Sequence, residues 1–306
     1  MRVRALLVVN PKATTTTVRA REVLTHALAS EVKLEVVETT HRDHATELAR
    51  QAAVDGLDLV VAFGGDGTVN EVVNGLLHDG PSGGAAGLPA LAVVPVGSTN
   101  VFARALGMPN NPVEATAHLL EAISEGRRRW IGLGLADDRY FTFNAGLGID
   151  AGAVRRVERA RAKGRTATQP LYVRSAVREH FFGPGHRLTV EIEGQEPLRL
   201  ALALICAADP WTFLGGRAVR PCPAASFDTG LDLFGLTSAP TVAVLRHLSQ
   251  ILRSGPHGKR VVLLHDLPGM RLTGDGPLPF QLDGDEIGDR DTVLLTAVPQ
   301  ALQVLV

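Results

Sequence analysis

Short apolar runs alternate with amphipathic segments over the first 130 residues. The apolar runs have the length of buried strands, and between them apolar residues recur at helical spacing. The predicted strands are Ala5–Val9, Leu34–Val37, Leu57–Phe63 and Ala90–Val94. The predicted helices are Val18–Ala29, Ala45–Val54, Val69–Leu77, Val101–Leu106 and Val113–Ser124. This alternation predicts a parallel sheet with helices on both faces.

The pattern changes after about Trp130, where strand-like segments are separated by turn signals such as Gly-Asp-Gly and Asp-Gly-Asp. A helix near Thr241–Leu252 is the exception. The predicted strands are Arg139–Asn144, Arg187–Ile192, Leu198–Cys206, Leu231–Leu236, Arg260–Leu264, Phe280–Leu282 and Thr292–Ala297. This half is therefore predicted to be a mainly antiparallel β domain, with the boundary near residues 128–135.

Composition narrows the class of protein. Hydrophobic residues make up 45% and charged residues 21%, which is the balance of a globular protein, and the formal net charge of −1 gives no basic field for nucleic acid. Two cysteines form no disulfide framework, so we expect a reducing, cytoplasmic location. The apolar run at the N-terminus ends at Asn10-Pro11, which indicates a strand rather than a signal peptide, and no run reaches transmembrane length.

Polar and glycine residues follow the predicted strands, where parallel sheets bind ligands. Gly64-Gly65-Asp66-Gly67-Thr68 stands between a strand and a helix. Glycines let the backbone approach a ligand, and helix N–H groups favour an anion such as phosphate. Asp66 would act through a divalent cation or a positioned water. The alternative is a tight turn with the aspartate as helix cap.

A second loop, Pro95-Val96-Gly97-Ser98-Thr99-Asn100, also follows a strand and precedes a helix. Its glycine, two hydroxyls and amide suit a polyphosphate, although Ser98 or Thr99 would equally serve as a helix N-cap. Two such loops at one sheet edge predict a nucleotide site.

Together these motifs resemble the diacylglycerol kinase catalytic domain family, which includes bacterial soluble diacylglycerol kinases, sphingosine kinases and ceramide kinases. The resemblance rests on Gly-Gly-Asp-Gly-Thr-x-Asn-Glu at residues 64–71, followed by Pro-x-Gly-Ser-x-Asn. It implies an N-terminal Rossmann-like parallel α/β nucleotide domain (residues 1–130 plus a C-terminal strand at about 298–306). It also implies a C-terminal antiparallel β-sandwich for the lipid (residues 131–297), with the active site in the cleft between the two.

The resemblance further implies ATP and Mg²⁺ as cofactors and a lipid alcohol, diacylglycerol or a sphingoid-like lipid, as acceptor. Carried onto this sequence, its nucleotide contacts are Asn10, Lys12, Thr39, Gly64, Gly65, Asp66, Gly67, Thr68, Asn70, Glu71, Gly97, Ser98, Thr99 and Asn100.

Leu282-Asp283-Gly284-Asp285 resembles the family's Asp-Gly-Glu motif, so Asp283 or Asp285 is expected to act as base, with Asp66 as the third catalytic carboxylate. A carboxylate can accept the proton of a lipid hydroxyl during phosphoryl transfer. The alternative is an Asp-Gly hairpin turn.

The family's metal network is expected near Ser226, Asp228 and Leu231. Thr229 stands where the family has an aspartate. Either Asp228 substitutes for that aspartate, or the magnesium site is weakened. The alternative for Asp228 is an ordinary turn.

Residues 155–178 carry eight basic residues and one acid, Glu158, and part of the segment has helical spacing. Such a surface suits anionic lipid headgroups, which predicts peripheral membrane contact; a solvated basic face or a loop closing over ATP is the alternative. An exposed edge strand in the β domain would allow a homodimer. Trp211 is interpreted as a core or interface residue.

Two other functions remain open from the sequence. NAD kinase shares a Gly-Gly-Asp-Gly loop and a related two-domain plan. A nucleotide- or lipid-binding regulator with weakened catalysis is the third interpretation, suggested by Thr229 and by the glycine-free first loop after Asn10-Pro11.

Overall fold

A computed structural model describes residues 2–13, 18–78, 87–147, 151–152, 154–157, 187–238, 250 and 256–306. The chain forms two compact units: residues 1–133 with 298–306, and residues 134–297. Among the described residues, no helix is long and apolar enough to cross a membrane.

The first unit contains a parallel sheet. Its strands are β1 (Arg4–Val9), β2 (Lys33–Glu38), β3 (Leu59–Gly64) and β4 (Ala90–Pro95). Its helices are α1 (Val18–Glu31), α2 (His44–Val54), α3 (Asp66–Leu76), α4 (Val101–Ala105) and α5 (Pro112–Glu125). The strand order is β4-β3-β1-β2, with every neighbouring pair parallel. β3 and β4 are buried along their whole length, as expected for strands covered on both faces.

Local sequence explains where α5 begins and ends. The side chain of Asn111 accepts hydrogen bonds from the N–H groups of Val113 and Glu114, and Pro112 occupies the first turn. Gly126 follows the helix with φ 67°, a left-handed conformation that glycine adopts without strain. These are the start and stop signals of an ordinary surface helix.

The second unit is antiparallel. The strands that follow α5 are β5 (Arg128–Ala136), β6 (Arg139–Phe141), β7 (Asn144–Leu147), β8 (Leu188–Glu191), β9 (Leu198–Leu200), β10 (Leu202–Cys206), β11 (Thr212–Leu214), β12 (Arg217–Val219), β13 (Leu231–Leu236), β14 (Val261–Leu267), β15 (Gly269–Leu282) and β16 (Asp285–Leu305). The order β14-β13-β10-β7-β15-β16 is antiparallel throughout. β8 and β9 extend from β15, and β11 and β12 form a separate two-stranded sheet.

The core of the second unit lies on the strands around β7, β10 and β15. Phe141, Leu147, Ile205, Leu272 and Phe280 belong to one buried cluster there. Burying side chains of this size stabilises the fold by roughly 1.5–3 kcal/mol each.

The predicted fold class is confirmed: a parallel α/β unit precedes an antiparallel β unit. The predicted return of the last strand is also found, because Val304 of β16 pairs in parallel with Leu91 of β4. The returning segment predicted at about 298–306 is the end of one long strand, β16, which also contains the strand predicted at Thr292–Ala297.

Several element boundaries differ from the predictions. α3 begins at Asp66 instead of Val69, because the extended backbone at Gly65 (φ −94°, ψ −174°) starts the helix directly after it. β5, β11 and β12 were missed. β11 and β12 have three residues each, too few to show a period, whereas β5 has nine and covers the predicted domain boundary at residues 128–135. The predicted helix at Thr241–Leu252 lies outside the described residues, apart from Gln250.

Candidate functional site

The two glycine loops of the first unit touch each other. β3 ends at Gly64 and α3 starts at Asp66, while β4 ends at Pro95, beside Gly64 in the ladder. A Cβ atom on Gly97 would lie 2.7 Å from the Cα atom of Gly65, and one on Gly65 would lie 3.1 Å from the Cα atom of Gly97. Only glycine at both positions permits this approach. The loops predicted to hold phosphates therefore form one backbone surface at the N-terminus of α3.

Asp66 connects these loops to the next helix. Its Oδ1 atom accepts a hydrogen bond from the N–H group of Phe102 in the first turn of α4, at 3.1 Å. Asn100, the residue before α4, makes no side-chain hydrogen bond to the first N–H groups of the helix. The carboxylate of Asp66, which is remote in the sequence, therefore caps α4 in its place. Burial lowers the pKa of Arg104, and the negative charge of Asp66 opposes that change. Asp66 thus carries a structural role besides the predicted catalytic one.

Asn10 and Thr68 join the first loop to α3. The Nδ2 atom of Asn10 donates to Oγ1 of Thr68 at 2.9 Å, and its Oδ1 atom accepts from the N–H group of Lys12 at 3.0 Å. Thr68 lies directly against Gly64, where an added Cβ would come within 2.4 Å of the threonine Cβ. Thr39, after β2, donates its N–H to the carbonyl of Val9 at 2.8 Å. These residues shape the loop edge, and Lys12 is exposed there.

Asn100 closes the second loop on itself. It is 4% exposed and has φ 50°. Its Oδ1 atom accepts from the N–H group of Gly97 at 2.8 Å, and its Nδ2 atom donates to the Gly97 carbonyl at 3.0 Å and to Oδ1 of Asn110 at 2.8 Å. The amide therefore fixes the backbone of the loop. The hydroxyls of Ser98 and Thr99 lie 3.5 Å apart on its more exposed side.

Two further residues of the motif lie inside the unit. Asn70 is 2% exposed, and the side chain of Asn74 donates to its carbonyl at 2.9 Å. Glu71 accepts from the N–H group of Ala45 at 3.2 Å through Oε2, and its carbonyl accepts from Oγ1 of Thr46 at 3.0 Å. Glu71 thereby caps α2, whose own preceding residue makes no side-chain cap. The structure assigns both residues to helix packing; their predicted ligand contacts stay predictions.

In the second unit, Asp283 is a buried carboxylate with many donors. It is 6% exposed and has φ 51°. Its Oδ2 atom accepts from the N–H and hydroxyl groups of Thr142 at 2.7 and 2.9 Å. Its Oδ1 atom accepts from the N–H groups of Phe143 and Asn144 at 2.9 and 3.1 Å. This carboxylate holds the bend between β6 and β7. Asp285 is partly buried and begins β16, opposite Leu282.

The predicted metal residues do not form a cage by themselves. Asp228 is exposed, and its N–H group donates to Oγ of Ser226 at 3.2 Å. Thr229 closes the same turn by donating its hydroxyl to the carbonyl of Ser226 at 3.1 Å. Leu231 is a buried apolar residue of β13. Across the described part of the chain, no three His, Cys, Asp or Glu side chains cluster as metal ligands do.

The basic segment predicted to contact membranes is described only at its start. Arg155 forms ion pairs with Glu286 and Asp289, and these raise its pKa, Asp289 most strongly. Arg155 is therefore engaged in ion pairs within the protein, and the membrane contact of this segment stays a prediction. Residues 158–178, with most of the basic side chains, lie outside the described residues.

Sequence reasoning missed a polar group around Asp209 and Trp211. Burial raises the pKa of Asp209 to about 6, although Arg220, 3.2 Å away, lowers it. Asn144 connects this group to Asp283, because its side chain donates to the carbonyl of Trp211 at 3.1 Å. No motif signals this arrangement, since its members come from three distant parts of the chain.

Comparison with known proteins gives matches across the chain. The model of the diacylglycerol kinase catalytic domain matches residues 4–131, and that of the YegS C-terminal NAD kinase beta sandwich-like domain matches residues 144–306. A diacylglycerol kinase of Staphylococcus aureus is 35% identical over 309 residues, covering 93% of this chain and 87% of that protein. A Bacillus subtilis diacylglycerol kinase is 43% identical over 110 residues, which cover 36% of this chain and 33% of that protein.

Solved structures agree on the fold. A crystal structure of a diacylglycerol kinase from Bacillus anthracis superposes with a TM-score of 0.73 at 19% identity, covering 99% of this chain and 97% of that one. At this identity the likeness shows the architecture, including the β-sandwich of the second unit.

Proposed function

This chain belongs to the diacylglycerol kinase catalytic domain family and is a lipid kinase, and from that premise we propose that it transfers the γ-phosphoryl group of ATP to a lipid hydroxyl. The acceptor is diacylglycerol or a sphingoid-like lipid. Such a reaction needs a surface that positions the phosphates and a carboxylate that takes the proton from the attacking hydroxyl.

The contact between Gly65 and Gly97 carries the nucleotide half of the proposal. It joins two strand-to-helix loops into one surface without side chains, against which a polyphosphate can lie close to the backbone. The N-terminus of α3 opens onto this surface and favours negative charge. The hydroxyls of Ser98 and Thr99 supply donors at its rim.

Between the two candidate bases, the hydrogen bonds favour Asp285. Each carboxylate oxygen of Asp283 already accepts two hydrogen bonds, so adding a proton there would displace a donor and leave it unpaired. We therefore assign Asp283 as a positioning residue that fixes the start of β7. Asp285, two residues later, is the proposed base. Its side chain is one methylene shorter than the glutamate of the family motif.

The residues present fit a magnesium ion that is held mainly by the nucleotide. Most of its ligands would be phosphate oxygens and water, as is usual for Mg²⁺. Asp66, at the phosphate surface, is the proposed carboxylate that would hold the ion beside the nucleotide, and the metal role of Asp228 stays a prediction. When bound, the ion would neutralise charge on the transferred phosphoryl group.

A transfer assay tests the proposal. The protein is incubated with γ-labelled ATP, Mg²⁺ and a panel of diacylglycerols, sphingoid bases and ceramides in mixed micelles, and the lipids are then separated. We expect label in a lipid phosphomonoester, its loss with Asp285→Asn, and its loss when EDTA removes divalent cations. Absence of label from every lipid would overturn the proposal.

NAD kinase activity is the second candidate function, favoured by the match of the second unit to an NAD kinase beta sandwich-like domain. The same ATP preparation, supplied with NAD in place of lipid, distinguishes the two. Formation of NADP would favour this candidate. A regulator with weakened catalysis would bind ATP without turning over either acceptor.

Location and assembly are part of the same proposal. We infer a cytoplasmic protein that reaches its lipid by peripheral contact with a membrane surface, through the basic residues after Arg156, and that forms a homodimer through an edge strand. β14, at the end of its strand order, carries the exposed side chain of Leu263. Sedimentation with anionic vesicles tests the membrane contact, and sedimentation velocity tests the dimer.

A further inference from the structure

The hairpin turn between β15 and β16 carries the proposed base at its exit. Asp283 and Gly284 form this turn, and both have positive φ, 51° and 83°. Leu282 and Asp285 pair on either side of them. These are the features of a two-residue type I′ turn, in which the central N–H groups take no part in the strand ladder. The position of Asp285 therefore depends on what holds the turn.

Both central N–H groups of the turn donate to acceptors inside the second unit. The N–H group of Asp283 donates to the carbonyl of Asn144 at 2.9 Å. The N–H group of Gly284 donates to Oε1 of Gln281 at 2.8 Å. Gln281 is only 1% exposed, so its side chain is held by close packing and has little freedom to move. It therefore anchors the backbone between the two aspartates.

The amide of Gln281 continues into a second buried amide. Its Nε2 atom donates to Oδ1 of Asn144 at 2.8 Å, and Nδ2 of Asn144 donates to the carbonyl of Trp211 at 3.1 Å. Strand geometry explains why the two amides meet. Gln281 pairs with Gly146 between β15 and β7, and Asn144 lies two residues before Gly146, on the same face of the sheet. Glycine at position 146 puts no side chain between them.

The two ends of this amide chain fix its direction. A backbone N–H group only donates and a backbone carbonyl only accepts, so Gln281 must turn its oxygen toward Gly284. For the same reason, Asn144 must turn its nitrogen toward the carbonyl of Trp211. Rotating the amides the other way would set donor against donor at one end and acceptor against acceptor at the other. A buried chain with one satisfied arrangement holds its members in place.

We propose that Gln281 is a positioning residue of the phosphoryl transfer. Through its hydrogen bond to Gly284 it holds the turn, and so keeps the carboxylate of Asp285 where it takes the proton of the lipid hydroxyl. The inference rests on the proposed function, because Asp285 is a base only in that reaction. It is separate from the bonds to the carboxylate of Asp283, which hold the side chain that precedes Gly284.

Gln281→Met tests the proposal first, because methionine keeps the length of the side chain and removes both its donor and its acceptor. With the best acceptor of the lipid panel, we expect kcat to fall about 30-fold and both KM values to stay unchanged, since misplacing a catalytic group by about 1 Å can cost 100-fold. Rates are expressed per bound ATP, so that unfolded protein is not counted. Gln303→Met, which removes an acceptor of Arg128, is the control and should keep the natural kcat. A natural kcat in Gln281→Met would overturn the inference.

Gln281→Glu separates positioning from packing. A protonated carboxyl donates and accepts as the amide does, whereas a carboxylate only accepts and would face Oδ1 of Asn144. Burial and the negative charge of Asp283 raise the pKa of the introduced carboxyl, so the amide chain is mimicked at low pH and broken at high pH. The ratio of kcat between variant and natural protein should be about one at about pH 6 and fall about 30-fold by about pH 9. A ratio that is already low at pH 6, or that rises with pH, would overturn the inference.

Hydrogen exchange tests the amide chain without any activity. Glycine labelled with ¹⁵N and aspartate labelled with ¹³C at its carbonyl select the Asp-Gly pairs in NMR spectra, among them the turn and residues 55–56. In Gln281→Met the protection of the Gly284 N–H group should fall about fivefold, as for the loss of one hydrogen bond. That of Gly56, which donates to the carbonyl of Ala53 at 3.1 Å, should not change. Equal protection of Gly284 in both proteins would overturn the inference. If the protection differs but the natural protein labels no lipid, the proposed function fails separately and the amide chain stands.

Discussion

The candidate sites of the two units are built from different groups: backbone in the first unit and side-chain carboxylates in the second. In the first unit the site is a backbone surface, where Gly65 meets Gly97 and side chains such as Asn10 and Asn100 mainly hold loops in place. In the second unit it is the turn from Asp283 to Asp285, where the buried carboxylate of Asp283 accepts four hydrogen bonds and Asp285 is the proposed base. Shape dominates in one unit and charge in the other, so substitutions in the two should fail in different ways.

The largest effect is expected from the proposed base in the second unit. Asp285→Asn keeps the shape but cannot take the proton, so kcat should fall about 10³-fold, within the range for loss of a general base. The affinity for ATP, measured by equilibrium dialysis, should not change. A kcat within about threefold of the natural protein would remove Asp285 from the mechanism.

Asp283 should show its effect in stability. Asp283→Ala leaves the donors at Thr142, Phe143 and Asn144 without their acceptor, so the free energy of unfolding should fall by about 3 kcal/mol. Urea unfolding followed by circular dichroism measures this. Asp228→Ala, at an exposed position, is the control and should change stability by less than about 0.5 kcal/mol. Similar losses for the two variants would contradict the structural role of Asp283.

Substitution in the backbone surface of the first unit should act on nucleotide binding. Gly97→Ala places a Cβ atom 2.7 Å from the Cα of Gly65, which must push the two loops apart. We expect KM for ATP to rise about 30-fold, equivalent to about 2 kcal/mol.

The control for this substitution is a glycine with space around it. A Cβ on Gly216, in the turn after β11, meets nothing within 4 Å, so Gly216→Ala should leave KM for ATP unchanged. If Gly97→Ala also leaves it unchanged, the contact between the loops has no part in nucleotide binding.

The smallest effect concerns the pH dependence of stability at Asp209. Its pKa in the folded protein, about 6, lies above the ordinary value of 3.8, so its contribution to stability is fully present below pH 3.8 and is lost as the pH rises through 6. Asp209→Asn removes this titration. The rise in pKa corresponds to about 2.4 kcal/mol between pH 4 and pH 7. Because Asp209 is only partly buried, solvent screening reduces the expected shift in the difference between variant and natural protein to about 1.5 kcal/mol, in favour of the variant.

Thermal and urea unfolding at both pH values measure that difference. A constant difference would show that Asp209 titrates normally. A shift in favour of the natural protein at pH 7 would mean that its pairing with Arg220 outweighs the burial of its carboxylate.

Sequence predicted the first unit better than the second for a physical reason. Each motif of the first unit is a continuous stretch of sequence, because each loop joins a strand to the next helix. The periodicity of apolar residues predicts the strand and the helix, and the glycines mark the loop between them. The central strands of the sheet were therefore placed within two residues of their ends. What the spacing could not show is that Glu71 caps α2 and Asn100 closes its own loop, since both depend on contacts formed only on folding.

In the second unit the site is assembled from distant positions. β7 lies between β10 and β15, and this strand order brings into hydrogen-bond contact residues that are far apart in the sequence: Thr142, Asn144, Trp211 and Asp283. The Asp-Gly-Asp motif indicated where the carboxylates are, but it could not show that Asp283 accepts four hydrogen bonds. It also gave no signal for Asp209, whose buried carboxylate is a property of packing.

The central claim is that the chain phosphorylates a lipid hydroxyl with the γ-phosphoryl group of ATP. The most direct measurement follows label from γ-labelled ATP into extracted lipid, with the natural protein and Asp285→Asn side by side. The account predicts a labelled lipid phosphomonoester from the natural protein and none above background from the variant. ATP binding by both proteins with no labelled lipid from either, across the whole panel, would contradict it.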